Sequence, residues 1–495
     1  MNMFKSLSIA VAQITILLLF SAVTCFSQEE RIPQIVINPK GHSARINNIV
    51  YTPDGSKIIS VSDDKSIRIW DANTGEDIKK FEIEINGGSE GALYASAISP
   101  QGNLLAVAGY PVGSEQNYIV VIDINKETQI AIAKGHSDVI LALEFSGDGK
   151  YLISGSADGT LKFFSVDKSV EYKEIATINV EYPVNSLSVN TKTNEVAIAT
   201  RMKDIRVYDF STIASNNADF PFKTFKKHKG EINKVAYSPD GQFLASSSLN
   251  SELVVWKANG SFLFLNEEYL KPLNALAFSY DSRVLVGLDI EGRGFSYAIP
   301  SGSLYTSDFK GHDNVVFSAA FSPNSTDGNY VIASAGGIQN EIIQWNAISA
   351  KTVRIIRGKG SFIGNLAFGE GLKLFISTSF SSPQPKYEYS FDFNEFTLTP
   401  DPVQTDLIVG TEQNKDLKLN KDLISIELPR GKKITNNPSI DGYIHSFIST
   451  PDGRIIVGSD FSLKMYNSNG LFLKEFSGHT GGVWTLACSA DGKYV

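Results

Sequence analysis

Residues 41–71 read GHSARINNIVYTPDGSKIISVSDDKSIRIWD, and parts of this pattern recur along most of the chain. Five of the six histidines occupy its second position, namely His42, His136, His228, His312 and His479. They are separated by 94, 92, 84 and 167 residues, which divide into two, two, two and four units of about 42 to 47 residues. A fixed period of this length predicts a repeat architecture in which one supersecondary unit is used many times.

A tight-turn signal follows eleven residues after the histidine in several units, as at Pro53-Asp54-Gly55 and Pro239-Asp240-Gly241. Proline presets φ and glycine tolerates positive φ, so such triplets favour turns between strands. The segments around the turns alternate apolar and polar residues, as in Lys57 to Ser62 and Ser66 to Trp70. The pattern therefore predicts short antiparallel strands throughout.

The unit resembles the WD repeat, whose mark is a Gly-His pair followed by a Trp-Asp pair in roughly 40 to 45 residues. Gly41-His42 with Trp70-Asp71 is a full match, and the second pair is altered in the other units. The resemblance covers roughly residues 34–495 and implies an all-β propeller, without indicating a function.

The resemblance also implies a structural network that joins a histidine, a strand serine, a turn aspartate and a tryptophan in each complete unit. The residues expected to take these positions are His42, Ser60, Asp64 and Trp70; His136, Ser154 and Asp158; His228, Ser246 and Trp256; His312 and Trp345; and His479. Phe164 replaces the tryptophan of the second set, and Asn250 stands at the aspartate position of the third. A buried polar chain is stable only when each member has a partner, so we interpret these histidines as structural and not catalytic.

The count of units predicts an all-β chain with a seven-bladed propeller followed by an incomplete second propeller. We place a signal peptide at residues 1–27, the first propeller at 28–356, and part of a second propeller, truncated within a blade, at 357–495. Residues 399–437 are poorly patterned. Residues 33–38 read as an outer strand that could lock either the seventh blade or a later one.

The N-terminus predicts export, because Lys5 precedes an apolar run that is too short for a membrane span and ends in small residues. An uncleaved anchor, or lipidation at Cys25, is a weaker alternative. Without residues 1–27 the chain has 44 basic and 53 acidic residues, which predicts no basic face for nucleic acid. We expect an exported, periplasmic or extracellular bacterial protein that has no membrane contact after cleavage.

No P-loop, dinucleotide fingerprint, zinc-ligand spacing or nucleophile elbow is present in the sequence, so we predict no catalytic residue, cofactor or metal. Asp63-Asp64 could suggest a metal site, but a solvated turn pair is the preferred interpretation. Cys488 lacks the partner of a nucleophile.

Partner binding is predicted at the residue five places after the histidine position, near the mouth of the central channel. In the first ring these residues are Asn47, Tyr94, Leu141, Asn185, Asn233, Asn274 and Phe317. The asparagines could bind the amides of an extended peptide or merely channel water. Residues two places earlier, Arg45 and Glu231 among them, give the face a mixed charge.

In the second ring the same position holds Gly364, His445 and Trp484. Trp484 could be an interface anchor or could cover an unfinished blade. The preferred function is a non-enzymatic exported scaffold that binds a protein or peptide. One alternative rests on a resemblance of units one to three to bacterial proteins that join WD repeats to a caspase-like peptidase domain, which would lie beyond Val495. A propeller enzyme or carbohydrate binder would need carboxylates at the rim, and the seven rim residues include none.

Overall fold

A computed structural model describes the chain over most of its length. The described residues are 40–82, 90–111, 117–211, 213, 220–267, 271–325, 328–336, 340–358, 365–369, 373–377, 389–392, 397–400, 417–437, 441–460, 462–476 and 482–495. All of them belong to one compact unit that spans residues 38–495. The predicted signal peptide, the segment 33–38, Gly364 and His479 lie outside the described residues.

Seven successive antiparallel sheets occupy the described part of the chain up to Ile356. Their strands are Ile46–Tyr51, Lys57–Ser62, Ser66–Asp71 and Asp77–Glu82 in sheet 1; Leu93–Ile98, Leu104–Gly109, Asn117–Asp123 and Thr128–His136 in sheet 2; Ile140–Phe145, Tyr151–Ser156, Thr160–Ser165 and Glu174–Asn179 in sheet 3; Ser186–Asn190, Glu195–Ala199, Asp204–Asp209 and Phe222–Lys226 in sheet 4; Ile232–Tyr237, Phe243–Ser248, Leu253–Lys257 and Phe262–Asn266 in sheet 5; Leu273–Phe278, Val284–Asp289, Gly294–Ala298 and Leu304–Phe309 in sheet 6; and Val316–Phe321, Val331–Gly336, Glu341–Asn346 and Thr352–Ile356 in sheet 7.

Three further sheets follow in the described part of the chain. Their strands are Asn365–Phe368, Lys373–Ser377, Tyr389–Asp392 and Thr397–Pro400 in sheet 8; Lys418–Leu419, Ser425–Glu427 and Lys433–Thr435 in sheet 9; and Ile444–Ser449, Ile455–Ser459, Leu463–Tyr466 and Phe472–Phe476 in sheet 10. A 3-10 turn, Pro429–Gly431, precedes the last strand of sheet 9. The poorly patterned stretch therefore contains part of sheet 8 and all of sheet 9.

The turn signals read from the sequence form the hairpins between first and second strands. Gly55 has φ 69° and Gly149 φ 72°, a left-handed conformation that glycine adopts without a Cβ penalty. The turn aspartate accepts a hydroxyl hydrogen bond from the residue two places before it, as Ser146 donates to Asp148 at 2.7 Å. Ser282 occupies the glycine position in sheet 6 with φ 62°, and its hydroxyl accepts the Asp240 N–H at 3.1 Å.

Each first strand is the innermost strand of its sheet, and most of these strands contain a β-bulge near their start. The bulge residues, which have no Cα partner on the second strand, are Asn47, Tyr94, Leu141, Asn233, Asn274, Phe317 and His445. A bulge adds one unpaired residue and redirects its side chain. The positions found by counting from the histidines are therefore special in the backbone as well.

The hydrophobic core lies between neighbouring sheets, so each sheet is covered on both faces. On one face of sheet 1, Ile49 and Trp70 pack against Ala333 and Ile342 of sheet 7. On the other face, Ile59 and neighbouring apolar residues pack against sheet 2. The innermost strands contact one another in sequence from sheet 1 to sheet 7, and the strand of sheet 7 contacts that of sheet 1.

Sheet 2 has a fifth strand that comes from the segment inserted in sheet 3. Glu171–Tyr172 pairs in parallel with the outer strand of sheet 2, opposite Ile132 and Ala133. Tyr172 is 2% exposed and packs in the core between sheets 2 and 3. We call residues 166–173 the strap.

Sheets 9 and 10 share a core that includes Ile426, Ile434 and Val457. Residues 482–495 pack against sheet 10 through Val483 and Cys488. The repeat pattern predicts a strand that ends at Cys488 before a turn at Ala490-Asp491-Gly492. The turn is present at Gly492, but no strand is assigned before it. None of the described residues belongs to a helix with the length and hydropathy of a membrane span.

The all-β propeller fold predicted from the repeats is confirmed by these radial, mostly four-stranded antiparallel sheets. The number of blades assigned to each ring, and the boundary at residue 356, stay predictions.

Candidate functional site

The histidine position of sheet 1 holds a continuous chain of buried hydrogen bonds. His42 Nδ1 lies 2.9 Å from Asp64 Oδ2, and His42 Nε2 lies 2.7 Å from Ser60 Oγ. The Trp70 indole donates to the same serine oxygen at 2.8 Å. Both ring nitrogens of His42 are occupied, which leaves neither for a substrate.

The charge of Asp64 is stabilised by this chain of hydrogen bonds. Burial would raise the pKa of its carboxyl, but His42, the Ser66 hydroxyl and the Ser43 N–H together hold it at about 2. The carboxylate is therefore ionised at any pH near neutrality and orients the imidazole. Such an arrangement stabilises the turn between the second and third strands.

Sheet 3 has the same chain of hydrogen bonds, but without the tryptophan. His136 bonds Asp158 at 2.8 Å and Ser154 at 2.7 Å, while Phe164 fills the tryptophan position and donates nothing. The sheet 7 version is looser, because His312 Nδ1 lies 3.6 Å from Glu341 Oε1, beyond hydrogen-bond distance. His312 Nε2 still lies 2.8 Å from the Ser334 hydroxyl, to which Trp345 donates at 3.1 Å.

Sheet 5 corrects one sequence assignment. His228 Nε2 bonds Ser246 at 2.7 Å and the Trp256 indole donates to Ser246 at 3.0 Å, but His228 Nδ1 bonds Glu252 at 3.1 Å instead of Asn250. The longer glutamate side chain reaches the imidazole from a position two residues further along. Burial lowers the pKa of His228 despite this carboxylate.

The seven bulge-level residues predicted to bind a partner are all partly exposed, and they lie on the innermost strands or directly before them. Asn47 is not free for a ligand, because its Nδ2 donates to Asp63 Oδ1 at 2.7 Å and to the Leu93 carbonyl of sheet 2 at 2.8 Å. Its Oδ1 accepts from Arg45 Nε at 3.0 Å. Asn47 therefore joins sheets 1 and 2 at their inner ends.

Asn233 repeats this bridge between sheets 5 and 6. Its Nδ2 donates to the Leu273 carbonyl at 2.8 Å and to Asn274 Oδ1 at 2.8 Å. Asn233 and Asn274, both expected to meet a peptide or channel water, are thus hydrogen-bonded to each other. For Asn185 the structure gives a backbone bond to Ala199 at 3.0 Å, and Leu141 offers an apolar side chain.

Asp63 is a buried member of an ion pair and not the solvated turn residue that the sequence suggested. It is 6% exposed, and its Oδ2 lies 3.1 Å from Arg45 Nη2. Burial raises the pKa of its carboxyl, and the Arg45 charge and the Asn47 amide oppose the rise. Among the described residues no group of three His, Cys, Asp or Glu side chains is placed to hold a metal ion.

Three sheets meet around this carboxylate. The Arg45 guanidinium lies 4.6 Å from the centre of the Phe317 ring of sheet 7, a cation–π distance. Burial and the nearby Asp63 charge both raise the pKa of Tyr94 in sheet 2. We call Arg45, Asn47, Asp63, Tyr94 and Phe317 the Asp63 cluster.

Sheet 10 contains a related arrangement. His445, at the bulge, bonds Asp460 through Nε2, and Asp460 also accepts the Tyr443 N–H at 2.8 Å. The His445 ring stacks on Trp484 with centroids 3.7 Å apart. Trp484 is 54% exposed, so the indole predicted as an anchor does present a surface to solvent.

The sequence reading missed a second role of the innermost strands. Their side chains bond the backbone N–H groups of the next sheet: Glu144 accepts from Val189, Ser188 from Tyr237 at 3.0 Å, and Ser318 from Ile49 at 3.1 Å. These N–H groups belong to edge strands and would otherwise be unpaired. Polar residues within otherwise apolar inner strands were the signal.

Four segments of the chain match the family described as WD domain, G-beta repeat, namely residues 33–71, 127–165, 220–257 and 470–495. The first three coincide with the histidine chains of sheets 1, 3 and 5. WD repeats are therefore present in this protein, and they account for the propeller fold.

Several curated WD-repeat proteins are similar to the chain at low identity. Pre-mRNA-processing factor 17 of Saccharomyces cerevisiae is 27% identical, covering 46% of this chain and 48% of that protein. The guanine nucleotide-binding protein subunit beta of the same yeast is 25% identical over 45% of this chain and 50% of its own. WD repeat-containing protein 1 of Gallus gallus is 22% identical over 63% and 55%. The chain thus spans about half the length of each of these relatives.

Proposed function

We propose that this protein is a non-enzymatic scaffold that binds a protein or peptide partner on the face carrying the Asp63 cluster. The observation that carries the proposal is the meeting of Arg45, Tyr94 and Phe317 from three different sheets at one partly exposed place. Arginine and aromatic side chains are enriched at the centres of protein interfaces. WD-repeat relatives support the class, since one is named as a subunit of a guanine nucleotide-binding protein.

The members of the Asp63 cluster have different roles in this proposal. Asn47 and Asp63 bond within the ring, so they position Arg45 and do not themselves meet the partner. The Arg45 side chain is 46% exposed, which leaves its guanidinium open to solvent on one side. Recognition therefore falls to Arg45, Tyr94 and Phe317. Glu231, at the position in sheet 5 that corresponds to Arg45, is exposed and gives the face a mixed charge, which suits a protein partner better than a polyanion.

The test compares partner capture by the full chain and by a Tyr94→Ala, Phe317→Ala double variant. Proteins retained by the unchanged chain should be lost by the double variant, while the melting temperature stays within a few degrees. Tyr305→Ala serves as the control, because Tyr305 is 48% exposed on the outer strand of sheet 6, away from the innermost strands. Undiminished capture by the double variant places the binding site elsewhere.

Export belongs to the same proposal. The support is the sequence of residues 1–27, and the direct test is the mass of the secreted protein, which should begin at Gln28. A seven-sheet first ring ending near residue 356 is also proposed, supported by the contacts between the inner strands of sheets 7 and 1. The alternative, a propeller portion of a longer caspase-like peptidase, concerns a domain outside these 495 residues and stays a prediction.

A further inference from the structure

The innermost strands of sheets 1 to 7 contain only two residues that can carry a charge, Glu144 in sheet 3 and Lys234 in sheet 5. Both are partly exposed on strands that surround the axis of the ring. The other positions on these strands are apolar, hydroxyl, amide or tyrosine side chains. Glu144 and Lys234 are therefore the main electrostatic features of the channel lining in the described part of the chain.

Lys234 has no counter-charge among the residues that the structure describes. It follows the bulge residue Asn233 directly and lies opposite Ser247, whose hydroxyl bonds the Leu273 carbonyl of sheet 6 at 3.1 Å. Cross-strand partners share a face, so Lys234 also lies on the side toward sheet 6. The sheet 6 residues in the core there are apolar, Leu273, Leu276 and Phe278 among them.

Among the described residues, no hydrogen bond or ion pair engages the Lys234 ammonium. Burial lowers the pKa of Lys234, and no carboxylate offsets that effect. A partly buried ammonium without a partner is costly, and a long lysine stem lets the charge reach toward water. Lys234 is partly exposed on the innermost strand of sheet 5, one residue after the bulge.

Glu144 does not neutralise this cation. Its carboxyl accepts the Val189 N–H, and burial raises its pKa to about 8, so it is largely uncharged at neutral pH. The position equivalent to Lys234, directly after the bulge level, carries a small or amide side chain in each of the other six sheets. These residues are Asn48, Ala95, Ala142, Ser186, Ala275 and Ser318.

We propose that Lys234 binds, inside the ring, a carboxylate carried by an extended segment of the protein partner. This inference rests on the proposed function, because the segment enters from the face that carries the Asp63 cluster. Charge complementarity selects the chemistry, since a carboxylate can accept all that an ammonium donates. The carboxylate can belong to an acidic side chain or to a chain terminus.

Calorimetric titration of the full chain with three peptides separates these two sources. Acetyl-tetraglutamate amide offers side-chain carboxylates, acetyl-tetraglutamine with a free C-terminus offers a terminal one, and acetyl-tetraglutamine amide offers none. We expect at least one carboxylate peptide to bind and the uncharged peptide not to bind. Sodium acetate binding as tightly as the peptides would overturn the assignment to a peptide segment.

Lys234→Met keeps the length of the side chain and removes its charge, so binding should weaken at least about tenfold. Lys168→Met, at an exposed lysine of the strap, should bind as the unchanged chain does. Lys234→Gln provides a second neutral variant, and thermal melting confirms folding in each case. Affinity in both Lys234 variants equal to that of the unchanged chain, or no binding of either carboxylate peptide, overturns the proposal.

The two proposals fail separately. The Tyr94→Ala, Phe317→Ala double variant is included in the same titrations, and it should retain peptide binding because Lys234 is intact. Partner capture that survives this double variant rejects the proposed face. If the Lys234 variants bind the peptides as tightly as the unchanged chain, and the double variant still loses partner capture, only the channel site is rejected.

Discussion

At the scale of single residues, the histidine chain shows how one arrangement tolerates different members. The carboxylate lies 22 residues after the histidine in sheets 1 and 3 and 24 residues after it in sheet 5, where glutamate replaces aspartate. The additional methylene compensates for the displaced backbone position. The serine hydroxyl that contacts His Nε2 is present in each of these sheets. We therefore expect loss of the serine to destabilise the protein more than loss of any other member of the chain of hydrogen bonds.

Ser60→Ala should destabilise the protein more than Ser154→Ala. The first substitution leaves both the His42 Nε2 and the Trp70 indole N–H buried without a partner, whereas the second affects only His136. Each unsatisfied buried group costs about 1–3 kcal/mol, so the difference should be of that order. Urea unfolding of both variants measures it, and equal losses would contradict the role given to the indole.

Glu144→Gln should change how stability depends on pH. The folded pKa of about 8 lies above the ordinary value of 4.5, so the folded chain binds more protons than the unfolded chain between these values. The free energy of unfolding therefore falls as pH rises through that window, by at most about 1.4 kcal/mol per pH unit. The neutral amide still accepts the Val189 N–H and removes this fall. Denaturation curves at pH 5 and pH 8.5 test it, and parallel pH profiles for the two proteins would refute it.

At the scale of elements, much of the fold follows from sequence periodicity, because histidine, turn and aromatic positions repeat at constant spacing. The same counting predicted the seven rim residues of the first ring, and all of these except Asn185 are bulges in the structure. It could not show that Asn47 and Asn233 bond the neighbouring sheet, since that depends on how two sheets meet. Glu252 was missed because a longer side chain can act from a different position.

The strap was also missed, because a two-residue strand pairing with another sheet has no periodic signal. The strap packs against the core through the Tyr172 side chain. The Tyr172 hydroxyl is buried with no hydrogen-bond partner in the part of the chain that the structure describes. Tyr172→Phe should therefore be neutral or slightly stabilising, since it removes an unsatisfied group.

Tyr172→Ala should instead cost about 3–5 kcal/mol, the range for removing a buried aromatic side chain. Comparing the thermal unfolding of the two variants separates the ring from its hydroxyl. A large loss in the phenylalanine variant would mean that the hydroxyl does have a partner in solution.

At the scale of the whole molecule, sheet 7 is joined to sheet 1 by polar as well as apolar contacts. Gln344 Nε2 donates to the Tyr51 hydroxyl at 2.9 Å and to the Ala72 carbonyl at 3.0 Å. Arg354 donates to Gln344 Oε1 at 2.9 Å and thereby fixes the amide. The two Gln344 donor bonds link residues 293 and 272 positions apart in the chain.

Gln344→Ala should weaken that junction by about 1–3 kcal/mol, because it leaves the Tyr51 hydroxyl and Arg354 without their buried partner. Hydrogen exchange should quicken in Ile46–Tyr51 and Val316–Phe321 and stay unchanged in Ser186–Asn190 of sheet 4. Gln242→Ala, at an exposed turn of sheet 5, is the control. Uniform quickening in all three strands would show that the ring opens as a unit and not at this junction.

The backbone enters sheet 1 beside the place where it leaves sheet 7. A Cβ added to Gly41 would lie 2.1 Å from the Gly358 Cα, so the two backbones touch there. A mechanical load applied through the flanking segments would cross the molecule at this one point and leave the other sheets unloaded. The arrangement of the seven sheets would therefore be preserved under tension.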